Sequence, residues 1–532
     1  MTSLFLILIV IVLLNCIWLN NISSRIGVPT LLAFIVLGIV FGNVGAIPVY
    51  LDNHNIAKEV CSVALLFIMF YGGFGTRLDS IRPVLRESVL LASAGVLVTA
   101  ALTGLFCHFA LRWGWAESFL LGAVVSSTDA ASVFSILRGK KLGLRNNTAP
   151  LLEMESGSND PASYMLTAIM ISVVNHSASG WSLVWMIFAQ LAFGAGLGWC
   201  IAKAAGRAIS KFNSSRTGVG YDTLFVFAVA IASYAIPDVL GGNGYLSAYI
   251  VGMMLGDEEF RSKKALVGFF DGITGLMQVL IFFLLGLLAR PAMLCRAILP
   301  ALAISLFLLL VARPVAVFGV LSPFHKYPVR QQCLVSFVGL RGAASIVFAI
   351  MAVAGTGALD NDLFSIVFCI VLISIAIQGT LIPPVARGLD MLDANENILK
   401  TFNDYSEGTD IQLSSIDIAA GSEWDRKMVA ELGLPRNILI ALVLRGKDRI
   451  TASGDTLLKA GDNVILVTKS YENTEMFLRE KSVRRGSALD GKAIMDCDTE
   501  GLVLMVIRDD QNIIPRGDTV LHAGDRLVIL RS

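Results

Sequence analysis

The chain has 532 residues, of which 55% are hydrophobic and 16% charged, and its mean hydropathy is +0.71. That composition excludes an ordinary soluble globule and describes a polytopic membrane protein. The formal net charge of +1 averages a membrane part with a tail of different character, and nothing in it suggests nucleic acid as a partner.

The chain opens MTSLFLILIVIVLLNC with no basic stretch in front of the apolar run, so it reads as a first membrane helix rather than a signal peptide. Apolar runs of about 20 residues mark spanning helices. About thirteen are expected, near 3–19, 28–47, 56–74, 84–111, 116–138, 148–175, 181–205, 219–237, 243–256, 263–289, 293–320, 330–355 and 361–388. Lys and Arg concentrate in alternate loops, for example Arg77, Arg82 and Arg86, then Arg138, Lys140, Lys141 and Arg145, then Arg261, Lys263 and Lys264. Positive loops stay in the cytoplasm, which puts the N-terminus outside and the C-terminus inside. The eight cysteines are scattered with no CxxC pair and read as small packing residues.

Two consecutive expected spans carry polar interruptions. In the fifth, Ser126, Ser127, Thr128 and Asp129 stand in a row, which favours a broken helix whose carbonyls and half-helix ends can bind ions, with Asp129 neutralising a helix N-terminus. A Ser/Thr packing interface is the alternative. The sixth contains LLEMESGSNDPAS, placing Glu153, Glu155 and Asp160 in a membrane-grade segment. A carboxylate at mid-bilayer costs about 2.5–3.5 kcal/mol on insertion scales, so such acids face partners, water or an ion. On a helix Glu155 shares a face with Asn159, and Ser156 stacks with Asp160; these hard oxygen donors suit an alkali cation. Helix-start capping is the competing reading. In the twelfth span Arg341 lies between Gly339 and Gly342, allowing a second break. Its obvious partners are Glu155 and the carbonyl ends of half-helices, with snorkelling to an interface as the alternative.

After Asp390 the apolar runs end. The expected organisation is a membrane domain over 1–390, a linker over 391–411, and two small α+β repeats over 412–470 and 474–532. The repeat is visible as Gly454-Asp455-Thr456 with Ala460-Gly461-Asp462, recurring as Gly517-Asp518-Thr519 with Ala523-Gly524-Asp525. A helix is expected over 423–432 in the first copy and a shorter one in the second.

The motifs LEMESGSNDP, SSTDAASV and GLRGAAS resemble the sodium/proton exchanger superfamily, in particular its NhaP-like cation:proton antiporters, over residues 1 to about 390. The two tail repeats resemble the RCK C-terminal (TrkA-C) domain, and the combination is similar to the potassium/proton antiporters of the NhaP2 type. The resemblance implies an NhaA-like all-α membrane fold of about 13 helices with inverted repeats and two broken helices, plus the α+β tail. It implies that Asp160 binds cation or proton beside Asn159, that Glu155, Ser156 and Thr128 ligate or orient the ion, and that Asp129 is the acid of the unwound segment. The cation itself is expected on Asp160, Ser156 and Thr128. Arg341 then balances charge by pairing with Glu155. Asn159-Asp160 in place of two adjacent aspartates implies one-for-one, electroneutral exchange.

The expected function is therefore antiport rather than enzymatic turnover: exchange of potassium or sodium for protons by alternating access in the inner membrane of a bacterium, with ion and proton as substrates and no cofactor. Lipid, a second copy of the chain in a homodimer and a small regulatory ligand such as a nucleotide on the tail are the expected partners. An RCK-gated cation channel and a membrane sensor are the rival readings.

Overall fold

In lipid a backbone must satisfy its own N–H and C=O groups, so apolar runs of this length fold as helices. The computed structural model of the chain describes residues 10–12, 14–15, 30–43, 54–76, 78–139, 142–178, 180–213, 219–258, 263–356, 359–393, 411–435, 438–445, 448–469, 477–483, 486–487, 489–497, 502–508, 511–513 and 515–531. It divides into two compact units, Met1–Ser406 and Glu407–Ser532.

The first unit runs α1 (Thr30–Asn43), α2 (His54–Gly75), α3 (Arg82–Leu111), α4 (Trp115–Val124), α5 (Ala130–Gly139), β1 (Gly143–Leu144) and α6 (Thr148–Val174). It continues with α7 (Trp181–Asn213), α8 (Val219–Val239), α9 (Gly244–Gly256), α10 (Lys263–Leu288), α11 (Pro291–Phe324), α12 (Val329–Phe337), α13 (Ala343–Gly355), α14 (Leu363–Gly388) and β2 (Leu392–Asp393). Helices therefore lie in each expected range from 28–47 onward, with 116–138 and 330–355 each split in two. The expected range 3–19 falls largely outside the described residues. Among the described residues, seven helical stretches are long and apolar enough to cross a membrane: Asn55–Gly75, Arg82–Leu111, Trp181–Ile209, Tyr221–Val239, Ala265–Leu288, Pro291–Phe324 and Leu363–Gly388. The 27-residue α6 is longer than several of these but carries Glu153, Glu155 and Asp160.

Polarity is distributed inside out relative to a soluble protein. Trp181 is 80% exposed and Leu299 75%, while Glu155, Asn159, Arg313 and Arg341 are buried. Apolar side chains outside and polar ones inside suit a hydrocarbon surround.

Two helix groups are recognisable. In one, α1 packs on α10 and α2 on α9, with α7 and α8 flanking α9. Backbones approach closely there through small residues: a Cβ added to Gly38 would lie 2.8 Å from the Gly286 Cα, and one added to Gly73 would lie 2.9 Å from the Met253 nitrogen. The other group contains α3–α6 and α11–α14. Its long helices α3 and α11 each carry a π-turn, at Leu91–Gly95 and Leu308–Ala312, and pack on one another with Phe106 stacked on Phe307 at 4.2 Å. Each precedes a helix in two pieces. At one end of this group Lys326 pairs with Glu87 at 2.5 Å, Arg145 pairs with Asp390 at 3.0 Å, and β1 bonds to β2.

The second unit holds two four-stranded antiparallel sheets of identical order, β3-β6-β4-β5 and β7-β10-β8-β9. Their strands are β3 (Ile411–Asp417), β4 (Ile438–Arg445), β5 (Asp448–Thr451) and β6 (Asn463–Lys469), then β7 (Phe477–Ser482), β8 (Leu502–Arg508), β9 (Gln511–Ile513) and β10 (Arg526–Arg531). The Gly-Asp turn before each last strand has a structural purpose. Asp462 takes two bonds from Arg445, at 2.7 and 2.6 Å, and Asp525 takes two from Arg508, at 2.8 and 2.7 Å. The guanidinium bonds hold both carboxyls below the usual carboxylate range.

The helix expected over 423–432 is replaced by a turn and a short 3-10 segment, Val429–Leu432. The reason is local: Asp425 accepts the Gly421 and Ala460 N–H groups, and Met428 bridges to Leu457 as a strand residue does. Asp490 repeats the arrangement with Gly486 and Ala523, before a 3-10 turn at Ile494–Asp496.

Candidate functional site

The site lies where the two interrupted helices meet α6. Residues 126–129 between α4 and α5 are non-helical, as are 339–342 between α12 and α13. The two segments cross: the Asp129 N–H donates to the Leu340 carbonyl at 2.8 Å. Arg341 Nη1 donates to the carbonyls of Ser126 at 3.0 Å and Ser127 at 2.6 Å, which are released where α4 ends. The Asp129 carboxylate lies directly on Gly342 at the start of α13, in a place that any side chain at 342 would occupy. Arg341 thus supplies the charge that suits the carbonyl end of α4, and Asp129 places its carboxylate against the start of α13. Ser132 also donates to Asp129, through its N–H at 3.2 Å and its hydroxyl at 2.5 Å.

Helix α6 brings its polar face onto the first break. The Ser127 hydroxyl donates to Asp160 Oδ1. Ser156 Oγ donates to the Thr128 carbonyl at 2.7 Å, and Asn159 Nδ2 donates to Thr128 Oγ1 at 2.5 Å. Further along, Ser163 Oγ donates to the Ala123 carbonyl at 2.6 Å. Asn159 Oδ1 is buried with no hydrogen-bond partner among the described residues. A carboxylate, an amide oxygen, hydroxyls and carbonyls therefore converge, and among the described residues no lysine or arginine is bonded to Asp160. Such hard oxygens suit a cation without firmly bound water, and Asp160 suits a proton equally.

Four sequence candidates lie together here: Ser156, Asn159 and Asp160 on α6, and Thr128 opposite. Asp129 belongs to the helix crossing and faces α13 rather than Asp160. The pairing of Arg341 with Glu155 is corrected by the geometry. Glu155 is bound by Arg313 at 2.6 Å, and both side chains are almost wholly buried. Arg341 instead meets the carbonyl ends, the other partner its position suggested. Gly339 makes room for this arrangement, since a Cβ there would lie 2.7 Å from Arg313 Nε.

Sequence reading missed Arg313 and Ser127. Arg313 carries the same signal as Arg341, an arginine well inside an apolar span (293–320, whose other arginine, Arg296, lies near its start), while the adjacent Pro314 points to a kink. Ser127 was visible in the polar run without anything to distinguish it from Ser126. Ser126 in fact bonds to Ala123 and Ser163, not to the acid.

The sequence profile of the sodium/hydrogen exchanger, transmembrane, matches residues 8–388, and that of the TrkA-C domain matches residues 413–473 and 478–531. The chain is 33% identical over 455 residues to a K(+)/H(+) antiporter NhaP of Alkalimonas amylolytica, covering 84% of this chain and 78% of the relative. It is 33% identical over 458 residues to a K(+)/H(+) antiporter NhaP2 of Shewanella baltica, covering 84% and 77%. The solved structure of the sodium proton antiporter MjNhaP1 from Methanocaldococcus jannaschii at pH 8 is similar with a TM-score of 0.61 at 20% identity, over 74% of this chain and 99% of that one.

Proposed function

The chain belongs to the sodium/hydrogen exchanger family and exchanges a monovalent cation for protons, and from that premise we propose that the exchange takes place at Asp160 by alternating access. Asp160 holds a proton or a cation but not both, so either occupied form carries the site across and the empty anion does not. Ser127, Ser156, Thr128 and Asn159 complete the ion's oxygen shell. Glu155 and Arg313 form a structural pair behind it, Asp129 and Arg341 hold the two broken helices together, and Asn159-Asp160 gives a one-for-one, electroneutral exchange. Potassium is the favoured ion, with sodium the second choice, because the relatives of 33% identity are named for potassium.

The observation that carries this reading is the contact of α6 with the unwound segment, Asp160 on Ser127 and Asn159 on Thr128. A buried carboxylate bonded by the Ser127 hydroxyl suits occlusion of one ion at a time, and this favours antiport over a gated channel. Everted membrane vesicles test it: potassium, sodium and lithium are added in turn to vesicles with an established pH gradient. The unaltered protein dissipates the gradient and D160N does not. Cation-dependent proton flux surviving in D160N would overturn the assignment.

In this reading the membrane domain spans 1–390 with about thirteen helices in an NhaA-like arrangement of inverted repeats. The successive pairs α3 with α4/α5, and α11 with α12/α13, support it, since each is a π-turn helix followed by a broken one. In the same reading the protein sits in the inner membrane of a bacterium, and the alternating loop charges support an N-terminus outside. The 391–411 linker then leads to cytoplasmic repeats at 412–470 and 474–532, which regulate exchange through a small ligand such as a nucleotide, in a homodimer.

A further inference from the structure

Three residues before Asp160, α6 has Gly157, and the space of the absent side chain is filled by the ring of Tyr249 from α9. A Cβ at Gly157 would lie 2.5 Å from Tyr249 Cε2 and 2.7 Å from both Cζ and Oη. The ring is fully buried and its hydroxyl donates to Met154 Sδ at 3.4 Å. Tyr249 and Met154 form a small apolar cluster of their own with Ile81, flanked by Leu78 and Met253. On the side of this cluster away from Asp160 lies Glu153, whose Oε1 accepts from Thr76 Oγ1 at 3.5 Å. The cluster therefore separates two buried acids on one helix.

The backbone behind the ring is held. The Tyr249 carbonyl lies against Gly73 of α2, and a Cβ on Gly252 would lie 3.0 Å from the Phe74 nitrogen. At its start α9 is tied to α6 by Asn243 Nδ2, which donates to the Pro161 carbonyl at 2.8 Å, and by Tyr245 packed on Tyr164 with centroids 4.9 Å apart. α9 is thus held on α2 along its middle and joined to α6 at its start, so a displacement of α6 at Gly157, or hydration of the space beside it, separates ring from glycine.

We propose that Tyr249 is a positioning residue that seals the Thr148 end of α6: seated on Gly157, its ring closes the route between Glu153 and Asp160, and it leaves Gly157 when the carrier opens to that side. The proposal rests on Asp160 being the exchanged site. It gives Glu153 a place as the acid outside the seal, and it explains a glycine where no turn or positive φ calls for one.

The test is a double-mutant cycle on the full chain in proteoliposomes, measuring potassium flux and proton flux separately and checking thermal stability of each purified variant. G157A, which drives a methyl group into the ring, is expected to lower the maximal rate at least tenfold with KM little changed. Y249A is expected to let potassium run down its gradient with less than half the proton counterflow of the unaltered protein. Y249F keeps the ring and the coupling. In the Y249A background, G157A has no further effect on rate. An equal loss from G157A in both backgrounds, or Y249A with unaltered coupling, overturns the proposal. Exchange surviving in D160N would instead overturn the assignment of the ion site, and the Gly157–Tyr249 cycle would still report whether the two residues act together.

Discussion

The two interrupted helices share an architecture and differ in chemistry. Residues 126–129 present hydroxyls, carbonyls and one acid, whereas 339–342 present two glycines and an arginine. The first segment turns its oxygens both ways, to α6 and to Arg341. The second serves the first. A break in a buried helix leaves carbonyl and N–H ends that must be satisfied; here Arg341 answers the carbonyls of the first break, while Asp129 caps its own helix α5 through Ser132 and lies against Gly342 of the second.

Removing Arg313 should show the largest effect on stability, because it strands Glu155. Breaking a buried pair from one side costs about 3–5 kcal/mol. R313A should lower the melting temperature of the purified protein markedly and abolish exchange, and R313Q combined with E155Q should recover much of the stability. If R313A melted like the unaltered protein, the pair would have no structural part in the site.

Next come the crossing charges, where the comparison predicts an asymmetry. Arg341 makes two carbonyl bonds in the charged state, each of a kind worth about 1.5–3 kcal/mol. Asp129 acts mainly on a helix N-terminus, worth at most about 2 kcal/mol. R341A should therefore destabilise more than D129N in thermal unfolding. Equal losses would mean that the two breaks are held by something other than this exchange of charge.

The smallest effects belong to the tail. Asp462 and Asp525 are held below the ordinary carboxylate range by Arg445 and Arg508. A depressed carboxyl contributes stability that is fully present above its unfolded value, about 4. That contribution is lost as pH falls through the lower folded value. D462N and D525N should thus increase proteolysis of the tail at neutral pH, and the difference from the unaltered chain should shrink in acid. Exchange at Asp160 should be little affected.

What could be read from the chain follows from how local each signal is. Apolar runs located the helices from 28–47 onward because hydropathy is a property of consecutive residues. The polar run at Ser126–Asp129 and the glycines around Arg341 announced the breaks for the same reason. The tail repeat was legible because its turn residues recur, although the turn at Asp425 outcompeted the helix that the same stretch suggested. Pairing was a different matter. Arg313 and Arg341 both lie well inside apolar segments, and only the fold decides which one meets Glu155. The seat of Tyr249 on Gly157 likewise has no trace in either sequence segment alone.

The crossing of the two breaks also bears on membrane voltage. Around it the formal charges of Asp129 and Glu155 are matched by those of Arg341 and Arg313, so the local sum depends on what Asp160 holds. With Asp160 as the proposed exchange site, a proton or a monovalent cation there brings that sum to zero, and an empty site leaves one negative charge. A 100 mV potential acts on one transported charge with about 2.3 kcal/mol. Loaded either way, the crossing gives the field nothing to pull on.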